Sequence, residues 1–229
     1  MLRRFELYAI GVEAPPEAVR ALEGACRECG RFIPEVLDSS VGWNRSEAPV
    51  RLVWEHAFES VDAYRRYMVH RFHAAVLDRY ILHDSPERVV TANVLGAGLV
   101  GYHCDGPDYR MAQGVRRLVL LRVDPGTSGE DVRQLEEVLN NARFDVPDMV
   151  VSVSAANSLG AAWFDGVTPV GPSPRWTHVW EQGFPALEAL ESYLAGGTEL
   201  ALAERQGWKT WRGGIVTRAA DVYYQRLHD

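Results

Sequence analysis

Residues 3–23 read RRFELYAIGVEAPPEAVRALE, and residues 116–136 read RRLVLLRVDPGTSGEDVRQLE. The two stretches align without a gap. Each has an arginine pair, a run suited to a strand, a turn marked by proline or glycine, and an amphipathic helix ending in Leu-Glu. The register continues to FIPEV (32–36) and DVPDM (145–149), where Pro34 matches Pro147. After an insertion in the second copy, VWEHAF (53–58) recurs as VWEQGF (179–184), and Tyr67 matches Tyr193. Features repeated in one order over this span mark a duplicated unit.

Each copy reads β-α-β-β-α-β. In the first, FELYAIGV is a strand, and residues 16–30 form a helix opened by proline and closed by glycine. EVLDSSVGW and RLVWEHAF are strands joined by a polar turn with Asn44 and Pro49, Ser60 caps a helix running to about Tyr80, and RVVTANVLGAGLVGY is the closing strand. The second copy follows from Leu118, with Ser128 as a cap and an insert at about 157–174, NSLGAAWFDGVTPVGPSP. A loop this long inside a compact domain suits a lid or binding loop, with Trp163 and Phe164 over a cavity or packed on the neighbouring copy. CDGPDYRMAQG (104–114) carries turn chemistry and divides the chain into units 1–105 and 106–229, the second ending in AADVYYQRLHD, read as a short helix. Such a unit lays both helices on one face of a four-stranded antiparallel sheet, and two units in one chain can cover each other's bare faces. The expected class is α+β, two fused ferredoxin-like units.

Bulk properties narrow the function. The chain has 229 residues, 47% hydrophobic and 24% charged, with a formal net charge of -7, as for a globular protein without the basic face a nucleic-acid partner needs. Its longest apolar stretch, VVTANVLGAGLVGY, is too short to span a bilayer, and the N-terminal MLRRFELYAIGV lacks a cleavage pattern, so no membrane association and a cytoplasmic location are expected. Cys26 and Cys29 lie inside a helix rather than at a strand-to-helix junction, and Cys104 is the third thiol, so ordinary reduced cysteines and no metal site are expected.

The chemistry concentrates in FESVDAYRRYMVHRFH (58–73), where Tyr67, His70 and His73 fall three residues apart on one side of a helix. A phenol and imidazoles beside a cavity suit proton transfer, while edge histidines on an amphipathic helix suit plain packing. His56 shares the strand face of Leu52 and is expected on the barrel side.

The pattern F-E-S-V-x-x-Y-x-x-Y-x-x-H-x-x-H resembles the stress-responsive A/B barrel (Dabb) family, with Thr177-His178-Val179 in the second copy resembling its strand motif. Arg71 replaces the family's proline. Gly196 and Glu199 stand where the first copy has His70 and His73, and Leu52 stands where the second has His178. The resemblance implies a dimeric α/β barrel, made here within one chain, and a cofactor-free polyketide cyclase or related lyase acting on a small, apolar, carbonyl-rich substrate. It makes His73 the base and Tyr67 the donor to a developing enolate, with His70 catalytic beside them. His56, His178, Tyr193, Trp163 and Phe164 line the substrate. Two alternatives stay open: a non-catalytic small-molecule-binding or stress-response protein of the same fold, and a haem-dependent oxygenase, since other α/β-barrel relatives bind haem. A homodimer of the duplicated chain also stays open.

Overall fold

The computed structural model describes residues 1–82, 84–93, 99–103, 114–157, 176–197 and 214–227. In the first half, β1 (Leu2–Ile10), α1 (Pro16–Phe32), β2 (Val36–Trp43) and β3 (Leu52–Phe58) are followed by α2 (Val61–Met68). A π-helical turn (His73–Leu77), α3 (Asp78–Ile81), β4 (Val90–Asn93) and β5 (Leu99–His103) complete it. The second half comprises β6 (Val115–Val123), α4 (Gly129–Asp145), β7 (Val151–Ala156), β8 (His178–Phe184), α5 (Leu187–Ala195) and β9 (Val216–Gln225).

Both sheets are antiparallel. Their orders correspond: β2-β3-β1-β4, with β5 also on β1, and β7-β8-β6-β9. The closing strand read as continuous pairs with β1 in two pieces, β4 along Tyr8–Ile10 and β5 along Leu2–Glu6. The C-terminal segment is not a helix. It is β9, paired with β6 from Val115 to Val123, and it sends Val222 and Tyr224 into the core shared by the two sheets. Its alternation was readable as a strand, but Ala219-Ala220 favoured helix, and tertiary pairing overrode that preference.

β1 and β3 are buried almost throughout, because helices cover one face and the other sheet covers the other. This removes the polar-out alternation of a one-sided sheet. On the helix side lie Leu2, Tyr8 and Ile10 of β1 with Leu52, Trp54 and Phe58 of β3, under Leu22, Cys26 and Cys29 of α1. On the other side Phe5, Leu7 and Val53 share a core with Leu118, Leu120, Val153, Val179 and Val222 of the second sheet. The edges of β2 and β9 also meet: Leu227 N donates to Val41 O at 2.8 Å, and Arg45 N to Tyr223 O at 2.8 Å. Gly42 permits this approach, since an added Cβ would collide with Gln225 O and the Tyr224 ring.

Charges buried between the sheets are paired across the duplication. Arg3 Nη2 lies 3.4 Å from Glu55 and 3.2 Å from Glu181, and Arg116 lies 3.1 Å from Glu181. Glu55 also accepts from Ser40 and Tyr224, each at 2.7 Å, and pairs with Arg226. Burial alone would raise the Glu55 pKa, but Arg226, Arg3 and Arg116 hold it well below the usual carboxylate range. The Glu of each VWE phrase is therefore a central structural group. No helix among the described residues is long and apolar enough to cross a membrane.

Candidate functional site

The opening repeat places Arg4 beside His56 and Arg117 beside Gln182, as directly paired residues of β1/β3 and β6/β8. All four side chains fall on the helix side of their sheet, the side of Trp54 and Trp180. The barrel-side expectation for His56 is thus corrected. Its even spacing from Leu52 was right, but that whole face turns toward the helices, where His56 packs on Trp54, Phe58 and Tyr67 at ring-centroid distances of 3.7, 5.7 and 5.6 Å. Strand parity groups residues by face, and only packing says what each face meets.

In the second half the polar groups satisfy one another. Arg117 Nη1 donates to Gln182 Oε1 at 3.1 Å, its Nε donates to Asp221 at 2.9 Å, and Gln182 Nε2 donates to Tyr193 Oη at 3.4 Å. The matching Arg4, His56 and Tyr67 do not. Among the described residues, seven buried atoms around them lack a hydrogen-bond partner: Arg4 Nε and Nη1, both His56 ring nitrogens, Tyr64 Oη, Tyr67 Oη and His73 Nδ1. Native interiors leave few such atoms, each costing about 1–3 kcal/mol, so a cluster of them marks a place built for a missing partner.

The electrostatics are specific. Burial first, then the Arg4 cation and His73, push the His56 pKa well below that of a free imidazole, so the ring is neutral and can take a proton. Burial raises the Tyr67 phenol well above its ordinary value, leaving it a hydrogen-bond donor. Burial works against the Arg4 charge, but Glu6, with its carboxylate 2.5 Å from Nη2, and the surrounding phenols more than offset it. The guanidinium lies 5.1 Å from the Tyr64 ring centre and 5.3 Å from that of Tyr67. Arg4, Glu6 and Tyr8 were missed at the sequence stage of reading, although polar residues at alternate positions of an otherwise buried strand were the available signal.

Tyr67 and His73 come together, their rings 4.6 Å apart and edge to face. His70 does not join them. Ser60 caps α2 as expected, with its hydroxyl accepting from Ala63 N at 3.2 Å, but the helix stops at Met68 rather than running on to Tyr80. His70 then caps the next turn, its Nδ1 accepting from Phe72 N at 3.2 Å, beside Phe32 and Arg71 on the outer surface. The three-residue spacing assumed one unbroken helix. The π-helical turn that follows swings His73 inward, and such turns recur at functional sites. His73 Nδ1 faces Asp78 at 3.5 Å.

His178 and Tyr193 belong to the second half. His178 lies 3.0 Å from Thr177 Oγ1 through Nδ1 and 3.5 Å from Glu136 through Nε2, and burial lowers its pKa while Glu136 acts the other way. Trp163, Phe164, Glu199 and Cys104 lie outside the described residues. Cys26 and Cys29 are buried under α1, which pushes the Cys29 thiol up to about 12.

No family model and no curated protein matches the chain. Solved structures do. A proposed monooxygenase from Lactobacillus acidophilus NCFM is similar over 98% of this chain and 93% of its own, with TM-score 0.56 at 12% identity. An anthrone oxidase-like protein covers 99% and 91%, with TM-score 0.55 at 12% identity. Chlorite dismutase from Candidatus Nitrospira defluvii covers 99% and 90%, with TM-score 0.57 at 9% identity. At these identities the likeness shows the fold, a mixed α+β ferredoxin-like arrangement, and nothing in it is specific to the Dabb family. It also corrects the function expected from sequence. The proteins matched end to end are named for redox chemistry, so the cyclase or lyase reading gives way.

Proposed function

We propose that the two units close an intramolecular α/β barrel carrying one working site, in the N-terminal half, and that this site oxidises a small aromatic substrate with molecular oxygen. The names of the matched structures support the reaction class. The observation that carries the location is the contrast between seven unpartnered buried atoms around Arg4, His56 and Tyr67 and the closed Arg117–Gln182–Tyr193 set. The aromatic walls suit a flat apolar body, and the free donors suit its oxygen atoms.

The chain's residues would act as follows. Neutral His56 takes a proton from a substrate carbon made acidic by a neighbouring carbonyl or phenol. Arg4 and Tyr67 donate to the oxygen where negative charge gathers. The electron-rich carbon reacts with O2, and loss of water leaves a carbonyl: one CH2 and one O2 become C=O and H2O. His73 packs against Tyr67 and holds its ring in place. The break between α2 and the π-helical turn offers the hinge through which substrate enters.

A haem does not fit this half as packed. His73 has the donor type and a carboxylate behind it, but its ring lies 4.6 Å from the buried Tyr67 ring, in the space an axial ligand would need. In the second half His178 is engaged by Thr177 and Glu136. The test is oxygen uptake with anthrone as the probe, alongside a haem titration. Uptake with stoichiometric water formation and no Soret shift supports the reading. Absence of uptake, or tight stoichiometric haem binding, overturns it.

A further inference from the structure

We propose that Glu6 is a specificity-determining residue that keeps anions out of the first-half site and admits neutral hydrogen-bond acceptors. The inference rests on the reading of that site as the substrate pocket. Arg4, Glu6 and Tyr8 alternate along β1 and so share its helix-side face, each buried. Glu6 holds Arg4 through one oxygen at 2.5 Å and accepts from the Tyr8 hydroxyl through the other at 2.5 Å. The matching residues of the second half are Arg117, Val119 and Leu121, which carry no acid, and Arg117 is balanced instead by the part-exposed Asp221. The acid was placed, or kept, only in the half whose donors stand open.

The physical consequence concerns charge. A buried guanidinium with Nε and Nη1 free would by itself be an anion site. Beside Glu6 it is half of a neutral pair, and an incoming carboxylate would stand close to the Glu6 carboxylate in a medium that screens little. A carbonyl or amide oxygen meets no such repulsion and still reaches the Arg4 and Tyr67 donors. Specificity here lies in the repulsive partner as much as in the attractive one. Negative charge then enters the pocket only after the substrate has bound and its proton has moved to His56.

Calorimetric titration with benzamide and benzoate, a neutral and an anionic molecule of nearly one shape, tests the filter without turnover. The wild-type protein is expected to favour benzamide by at least about tenfold, and Glu6→Gln to shift the ratio toward benzoate by at least about tenfold. Glu6→Asp keeps the charge and should keep the preference, and together with the wild-type ratio it decides the matter where Glu6→Gln fails to fold. His56→Gln should weaken both ligands, placing their binding in the first half. Equal or tighter benzoate binding by wild type, an unchanged ratio in folded Glu6→Gln, or no binding of either ligand overturns the proposal. Charge selection without oxygen uptake would refute the oxidation reading alone, and uptake without charge selection would refute the filter alone.

Discussion

Replacing His56 with glutamine writes the second copy's solution into the first. In the second half, one amide accepts from Arg117 at 3.1 Å and donates to Tyr193 at 3.4 Å. The same amide between Arg4 and Tyr67 would give partners to atoms now lacking them and would remove two unpartnered ring nitrogens. Each such atom costs about 1–3 kcal/mol. Against this stands the loss of imidazole contacts with Trp54, Phe58 and Tyr67, worth about 0.5–1.5 kcal/mol each where an aromatic pair is well formed. The balance is a stabilisation of about 1–2 kcal/mol, or about 2–8 °C in Tm for a chain of this size. Oxygen uptake with anthrone should fall at the same time to background, because the base is gone and the donors are taken. Stability gained where function is lost is the behaviour of a site held open at a cost. Differential scanning calorimetry and an oxygen electrode on the same preparation read both quantities. A variant that melts lower than wild type while still consuming oxygen would refute the account of His56.

Further expectations follow from burial and charge. His56 stays neutral in the folded chain but binds a proton near pH 6.5 when unfolded, so stability should fall as pH drops below about 6.5, by up to about 1.4 kcal/mol per unit. His56→Phe should flatten that slope in urea melts at pH 5 to 7; an unchanged slope would place its origin elsewhere. Glu55, with its pKa depressed, contributes stability above its unfolded value near 4.3 that is lost only as pH falls further, so acid unfolding should show a second, steeper limb there. Gly42→Ala should cost up to about 3 kcal/mol, since the new methyl meets the Gln225 carbonyl where β2 and β9 join; chemical denaturation that finds no loss would mean the edges do not meet as described.

The duplicated elements were legible because both periodicities are local. Pro16 opens α1, and Leu22, Cys26 and Cys29 form its buried stripe. Ser60 and Ser128 cap helices as their positions suggested. Tyr67 and His73 were found from spacing, yet for an incomplete reason: the helix carrying them breaks at Met68, and the π-helical turn brings His73 back while leaving His70 outside. The strand β9 was missed because its preference for strand exists only beside β6. Arg4 and Glu6 were missed because a charge in a strand looks solvent-facing until both faces of that strand are known to be covered.

Alone, the sequence determined that one unit was written twice, which strand positions share a face, and that the copies differ at His56 and Gln182. Tertiary structure decided which face meets helices and which meets the other sheet, and so whether Arg4 and Glu55 are surface groups or buried ones. That distinction separates a charge solvated by water from one that must find its partner inside the protein. It turned a single histidine-for-glutamine difference into a site with open donors in one half and a closed one in the other.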